Sequence, residues 1–104
     1  KVMLLTSTMI KEDQKNKLNQ TLKGYNDFLI ELAKEKKCLI ADLNADMQAA
    51  INASADKKGG KLLTSDGVHM NADGNKMMAT GLLKSFGLDA KQIEKAQASW
   101  SAKQ

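Results

Sequence analysis

The sequence holds one histidine, His69, and an aspartate, Asp66, lies three positions before it. At this separation in a turn the two side chains can meet, as neighbours three apart do on a helix. An aspartate that accepts a hydrogen bond from imidazole Nδ1 fixes the tautomer and leaves Nε2 free to take a proton from a nucleophile. Such a pair, held on a turn at Asp66-Gly67, has the geometry that an acid and a base of a hydrolytic triad need.

Two other interpretations of His69 are open on spacing alone. An aspartate three positions before a histidine arises often by chance, and a lone histidine is more often structural than catalytic. Asp66, His69 and Asp73 are also potential metal ligands, but the sequence has no second histidine and no cysteine pair to complete a zinc site. Asn71 and Asp73 do not complete a calcium-binding loop. We therefore predict no metal and no cofactor.

Composition excludes several classes of protein. A length of 104 residues fits one domain, and 42% hydrophobic with 27% charged residues indicates a globular chain rather than a disordered one. The apolar runs are too short to span a membrane, and one cysteine cannot form a disulfide within the chain.

The net charge of +4 does not indicate a nucleic-acid partner. Every basic residue is lysine, whereas base readout and bidentate phosphate contacts favour arginine. Acidic residues are interspersed with the lysines, and the four aromatic residues form no stacking platform. A lysine-rich nucleic-acid binder is therefore the weakest of the functional hypotheses.

The elements that must position the pair begin with a βαβ unit. An apolar run over 2–6 predicts a strand buried on both faces, a periodic segment over about 12–37 predicts a long helix, and the apolar run 38–43 predicts a second strand. Strands connected in this way are parallel almost without exception. Binding sites of such sheets lie beyond the carboxyl ends of the strands, here at 6–8 and 42–44.

Periodicity also predicts which helix faces point inward. The long helix has apolar residues at steps of four and three, which are Leu18, Leu22, Tyr25, Leu29 and Leu32. The segment 44–54 predicts a second helix with Asn44 as its N-cap. Its inward residues are Leu43, Met47, Ala50 and Ile51.

The remaining chain predicts loops and two more helices. A polar, glycine-rich loop is expected over 55–61 and an irregular segment over 62–71. A third helix over about 72–86 ends at Gly87, a residue suited to terminate a helix. A last amphipathic helix follows Asp89 and runs to about Trp100.

Residues 63–71, together with Gly74 and the pair Met78-Ala79, resemble the last conserved block of the SGNH hydrolases, also called the GDSL esterase/lipase family. The upstream chain is similar in order: 2–8 resembles the fourth strand of the family, 18–33 the following helix and 39–43 the fifth strand. The resemblance covers about residues 1–88, and the helical segment 89–104 lies outside it.

The resemblance implies an α/β fold, part of a flavodoxin-like three-layer α/β/α sandwich, with two parallel strands and about four helices in this chain. It implies a Ser-His-Asp triad that hydrolyses carboxylic esters, with Asp66 as the triad acid and His69 as the general base. The implied substrates are small esters, lipids or acetylated carbohydrates. A secreted or periplasmic location is favoured by the family alone.

The sequence departs from the family where the nucleophile is expected. It contains no Gly-Asp-Ser block and no Gly-x-Asn-Asp block, and Ser7-Thr8 stand where the family often has a proline. Ser7 is not expected to replace the nucleophile, because it has no tight glycine-flanked turn and no preorganised oxyanion donors. Ser65 is adjacent to Asp66 and is expected to order the loop instead.

We therefore expect residues 1–104 to form a single unit, the C-terminal portion of an SGNH domain that is inactive alone. The serine and the oxyanion hole would come from a preceding segment or a second chain. The alternative is a non-catalytic interaction or scaffold module that retains the fold without the nucleophile.

Overall fold

The structure, a computed structural model, describes residues 1–54 and 61–102. Two strands, β1 (Met3–Leu5) and β2 (Leu39–Ala41), are joined by the helix α1 (Lys17–Glu35). The helices α2 (Leu43–Ala53), α3 (Ala72–Ser85) and α4 (Ala90–Ala102) follow. Residues 55–60 of the predicted loop lie outside the described residues. No helix within 1–54 and 61–102 is long and apolar enough to cross a membrane.

The two strands pair in parallel, with Met3 opposite Leu39 and Leu5 opposite Ala41. The ladder continues at its carboxyl end, where the Thr6 amide donates to the Ala41 carbonyl at 3.1 Å. Helix α1 packs against both strands, α3 packs against β2 and α2, and α4 packs against α3. The predicted α/β architecture of two parallel strands and four helices is therefore confirmed.

Helix α1 begins five residues later than predicted. Lys11 and Glu12 have φ angles of 59° and 50°, which are left-handed and incompatible with a right-handed helix. Such a conformation costs about 1–2 kcal/mol at a residue other than glycine. The helix begins instead after Asn16, whose side chain accepts from the Leu18 amide at 2.8 Å. It ends before Lys37, whose φ of 55° terminates the helical turn.

The predicted inward face of α1 is only partly correct. Leu22, Leu29 and Leu32 are partly buried, but Leu18 and Tyr25 are exposed. The side of the helix that faces the protein is centred on Asn26 and Ala33, which are both buried. Asn26 sets this rotation, because its amide bonds the backbone of Ser7.

The first strand is less buried than predicted. Leu5 is 40% exposed and Val2 is 59% exposed, whereas Met3 and Leu4 are half-buried. In the part of the chain that the structure describes, β1 pairs only with β2. One edge of β1 is therefore open.

Helix α2 is capped by Asp42, so the prediction of Asn44 as its N-cap is wrong. The Asp42 Oδ1 atom accepts from the Ala45 amide at 3.1 Å, which leaves Asn44 inside the first turn. The predicted inward side is confirmed, with Leu43, Met47 and Ile51 buried. A buried hydrophobic cluster combines residues of α2 with two segments outside the helices: Met9, Met47, Ile51 and Leu63, against which Ala50, Met70 and Met77 pack.

Helices α3 and α4 have well-defined ends. Asn71 caps α3 by accepting from the Gly74 amide at 2.9 Å, and Gly87 follows the helix with a φ of 94°, as predicted. Asp89 and Gln92 cap α4 reciprocally, each side chain accepting from the backbone amide of the other. The last helix extends two residues beyond the predicted end at Trp100.

Two glycines provide a matched test of this packing. A Cβ at Gly81 would lie 2.5 Å from Asp46 Oδ2 and 2.7 Å from Leu43 Cδ2, whereas a Cβ at Gly24 would meet nothing within 4 Å. We expect Gly81→Ala to lower the free energy of unfolding by about 1–3 kcal/mol through overpacking. Gly24→Ala should raise it by about 0.5–1 kcal/mol through helix propensity. Urea denaturation measures both, and shifts of the same sign would contradict this packing of α3 on α2.

Candidate functional site

The segment before α3 forms a closed loop that carries Asp66 and His69. At its base the Ser65 amide donates to the His69 carbonyl at 2.9 Å, and the Asn71 amide donates to the Leu63 carbonyl at 2.9 Å. Thr64 and Met70 form an antiparallel bridge between these bonds. Backbone hydrogen bonds therefore fix both ends of the loop. Ser65 orders the loop, as predicted, and its hydroxyl also donates to the His69 carbonyl at 3.4 Å.

Asp66 organises the turn inside this loop. Its Oδ1 atom accepts from the backbone amides of Val68, at 2.8 Å, and His69, at 2.7 Å. Gly67, between Asp66 and Val68, has a φ of 98°, a conformation that favours glycine. One oxygen of the aspartate thus stabilises the backbone of its own turn.

The other oxygen of Asp66 contacts the histidine ring. The Oδ2 atom lies 2.5 Å from His69 Nδ1, so the predicted meeting of the two side chains is found. The side chains of His69 and Asp66 are 79% and 53% exposed. Nε2 has no hydrogen-bond partner among residues 1–54 and 61–102. The carboxylate therefore orients an exposed ring, although the catalytic roles of both residues stay predictions.

The fold lowers the pKa of Asp66 below the ordinary aspartate range. The largest cause is the hydrogen bond from the His69 backbone amide, followed by the imidazole and the Val68 amide. Because these donors favour the charged form, Asp66 is a carboxylate at neutral pH. A charged acceptor is the form that a triad acid needs in order to stabilise a protonated imidazole.

The loop rests on the chain segment that follows β1. The Lys11 amide donates to the Gly67 carbonyl at 2.6 Å. The buried Glu12 accepts from the Leu63 amide at 2.8 Å and from the Thr64 hydroxyl at 2.7 Å. Sequence reasoning missed Glu12, because the run Lys11-Glu12-Asp13 is typical of a solvated helix start. The signal that could have found it is Asn16, a good N-cap, which would have placed Glu12 before the helix.

The carboxyl ends of the strands meet as predicted, through polar contacts. The Thr6 hydroxyl donates to Asp42 Oδ1 at 2.9 Å and accepts from the Asn44 amide at 3.0 Å. The Ser7 carbonyl accepts from the side-chain amides of both Asn26 and Asn44. This edge is thus crosslinked by side chains, and Ser7 takes part through its backbone.

A polar cleft of about 350 Å³ lies beside these strand ends, between α1 and α2. Asn26, Asp42, Asn44 and Gln48 are among its lining residues, and neither Asp66 nor His69 lines it. Among residues 1–54 and 61–102, no group of three histidine, cysteine or acidic side chains is arranged to hold a metal ion. The loop pair is therefore the arrangement with the clearest acid–base chemistry in the described chain.

The lowered pKa of Asp66 predicts a pH-dependent contribution to stability. Because the folded-state pKa lies below the ordinary value of 3.8, the contribution of the charged carboxylate is fully present above that value and is lost as the pH falls below it. We expect wild type to exceed Asp66→Asn in unfolding free energy at neutral pH, with the difference shrinking below about pH 4. Urea denaturation between neutral and acidic pH measures this, with the exposed Glu94→Gln as control. A constant difference across that range would contradict the assignment.

Comparison of the structure with solved proteins identifies the fold. The chain is similar to Axe2, an acetylxylan esterase from Geobacillus stearothermophilus, with a TM-score of 0.71 and 21% identity over 84% of this chain and 38% of Axe2. It is also similar to LAE5, an alpha/beta hydrolase from the metagenome of Lake Arreo, Spain, with a TM-score of 0.68 and 21% identity over 82% of this chain and 37% of LAE5.

Among the solved forms of Axe2 are three catalytic mutants. In these a serine near the N-terminus, an aspartate, or a histidine three positions after that aspartate is replaced by alanine. No family model matches the sequence, and no curated protein matches it. The chain spans less than two-fifths of the length of these two hydrolases. The expected α/β fold is thus confirmed, and the chain has the fold of a portion of these two proteins.

Proposed function

We propose that this chain is the part of an SGNH-type esterase that supplies the acid and the general base of a Ser-His-Asp triad. The observation that carries the proposal is the 2.5 Å contact between Asp66 Oδ2 and His69 Nδ1 in a loop closed by backbone hydrogen bonds. The catalytic mutants of Axe2 support it, because their aspartate and histidine have the same separation. The nucleophilic serine and the oxyanion donors lie outside residues 1–104.

The mechanism assigns one proton path to His69. Nε2 takes the proton of the serine hydroxyl as its oxygen attacks the ester carbonyl, and Asp66 stabilises the resulting imidazolium. Nε2 then gives that proton to the departing alcohol, which leaves an acyl-enzyme. Water attacks the acyl group, His69 removes its proton, and the acid is released with the serine restored. Neither metal nor cofactor takes part in these steps.

The proposed substrate is a carboxylic ester of a small acyl group. Axe2 is an acetylxylan esterase, so an acetylated carbohydrate is the first substrate to test. Small esters and lipids are the broader substrate class. The acyl and alcohol pockets would be formed mainly by the preceding segment, because Asp66 and His69 stand on an exposed loop.

The esterase proposal is tested in a protein that contains this chain together with its nucleophile segment. We expect hydrolysis of a short-chain aryl ester, and a loss of at least about 1,000-fold in kcat/KM for His69→Ala, because the serine then has no base. Ser7→Ala should keep the activity. A fluorophosphonate should label a serine outside residues 1–104. An unchanged rate for His69→Ala, or labelling of Ser7 or Ser65, would sink the proposal.

A second candidate is a non-catalytic interaction module, which the exposed apolar surface of the chain favours. Tyr25 and Phe28 on α1 are 68% and 64% exposed, and they line a shallow depression with Thr21 and Gly24. The open edge of β1 adds an unpaired backbone edge, which can template association. A module of this kind would assemble through α1 and β1 and would need no nucleophile.

Association of residues 1–104 alone tests this second candidate. We expect a concentration-dependent dimer or larger species in sedimentation velocity, because exposed apolar surface is buried on association. Charge introduced by Tyr25→Lys with Phe28→Lys should restore the monomer, whereas the exposed control Glu94→Lys should not. A monomer at every concentration argues against the module. A Gly-Asp-Ser block encoded upstream of Lys1 would favour the esterase.

A further inference from the structure

The carboxyl group of Glu12 is buried beneath the loop that carries Asp66 and His69. Glu12 is 2% exposed, and among the described residues no lysine or histidine forms an ion pair with it. Each of its oxygens instead accepts one hydrogen bond, from the Leu63 amide and from the Thr64 hydroxyl. A buried polar group is tolerated only where hydrogen-bond partners such as these satisfy it. Both donors belong to the two residues that open the Asp66–His69 loop.

A short relay connects Glu12 to the turn that holds the catalytic pair. The Thr64 hydroxyl donates to Glu12 and at the same time accepts from the Gly67 amide at 3.0 Å. The Gly67 carbonyl in turn accepts from the Lys11 amide at 2.6 Å. Glu12, Thr64, Gly67 and Lys11 therefore form a closed circuit, and Asp66 lies between two of its members.

The backbone on the Glu12 side of the circuit is strained. Lys11 and Glu12 are consecutive residues with left-handed φ angles, although neither is glycine. Residues are held in such conformations only where the surrounding contacts over-determine them. Here the conformation places the Lys11 amide on Gly67 and the Glu12 carboxylate on Leu63 and Thr64. The left-handed conformation of Lys11 and Glu12 is thus required for their hydrogen bonds to this loop.

We infer that Glu12 is a positioning residue for the Asp66–His69 pair, acting through Thr64 and Gly67. Its effect on catalysis rests on the proposed function, whereas its effect on the imidazole does not. Glu12 has no hydrogen bond to Asp66 or His69, so it is not a catalytic residue. A carboxylate that only stabilised the core would change the stability of the protein without changing the orientation of the histidine ring.

The state of the His69 ring provides a direct readout. The hydrogen bond at one ring nitrogen decides which nitrogen carries the proton, so the Asp66 contact holds it on Nδ1. We expect Glu12→Ala to shift part of the neutral imidazole population from the Nδ1–H to the Nε2–H tautomer. Ring nitrogen chemical shifts measure this, with the signal assigned by its absence in His69→Gln. Glu94→Ala, which removes an exposed carboxylate of α4, should leave the tautomer unchanged.

The conservative variant Glu12→Gln should restore most of the wild-type ring state. Its carbonyl can accept from the Leu63 amide, and its amide group can donate to the Thr64 hydroxyl, which has a second lone pair for Gly67. In a protein that contains the nucleophile, Glu12→Ala should lower kcat by about 100-fold with little change in KM, because a small displacement of the base is costly. Glu12→Gln should lose far less.

The decisive comparison is made on folded variants. A wild-type tautomer and a wild-type kcat in folded Glu12→Ala would overturn the inference. If Glu12→Ala does not fold, Thr64→Val and Thr64→Ser decide instead: Val removes the relay hydroxyl and should alter the ring state, whereas Ser retains it and should not. Equal spectra for these two variants would likewise overturn it. If no esterase activity is found, the tautomer of His69 still tests the role of Glu12. Failure of the proposed function can therefore be distinguished from failure of this inference.

Discussion

The parallel pairing of β1 with β2 is the constraint on which the rest of the structure depends. Each strand has only three residues, yet their register brings the chain after Leu5 beside the chain after Ala41. The Thr6 hydroxyl can then reach Asp42, which is itself the cap of α2. Net hydrogen-bond contributions of about 1 kcal/mol each are substantial beside so short a ladder. The side-chain hydrogen bonds at the strand ends therefore contribute substantially to the stability of this sheet edge.

From this edge the chain after β1 runs under the loop that precedes α3. Met9 enters the core beside Met47, and Lys11 and Glu12, two and three positions later, contact the loop. The loop is thus fixed from below by buried groups and closed at its ends by backbone bonds. Only its outward side chains are left exposed. Hydrogen bonds of the loop backbone and of Thr64 make the loop rigid, whereas the side chains of Asp66 and His69 remain accessible.

The sequence was sufficient to predict the elements whose signals are local. Continuous apolar runs and a long periodic segment predicted the βαβ unit, and Gly87 marked the end of α3. It was insufficient where a polar residue is placed by a distant contact. Asn26 rotates α1 away from the face that Tyr25 suggested, because its amide bonds Ser7. Glu12 reads as a surface charge until Leu63 and Thr64, about fifty positions away, are brought to it.

The same difference between local and distant contacts distinguishes the Asp66–His69 pair from the residues that hold its loop in place. Asp66 and His69 are neighbours in sequence, so spacing alone predicted their contact. The turn at Asp66-Gly67 was also predicted, and Gly67 has a φ of 98° there. The circuit through Glu12 joins two segments that are far apart in the sequence, one before α1 and the other after α2. No local sequence pattern encodes such a contact. Local chemistry was therefore predictable, whereas the packing that orients it was not.

The exposure of His69 bears on whether it is structural or catalytic. A histidine that serves packing is buried and has both ring nitrogens satisfied, since an unpaired buried polar atom is costly. His69 has the opposite arrangement, with Nδ1 held by a charged carboxylate and the side chain 79% exposed. A base that must take a proton from a serine on another segment needs an accessible Nε2 on a rigid mount. A strained, buried support and an exposed ring are the features that the proposed role of His69 as a base requires.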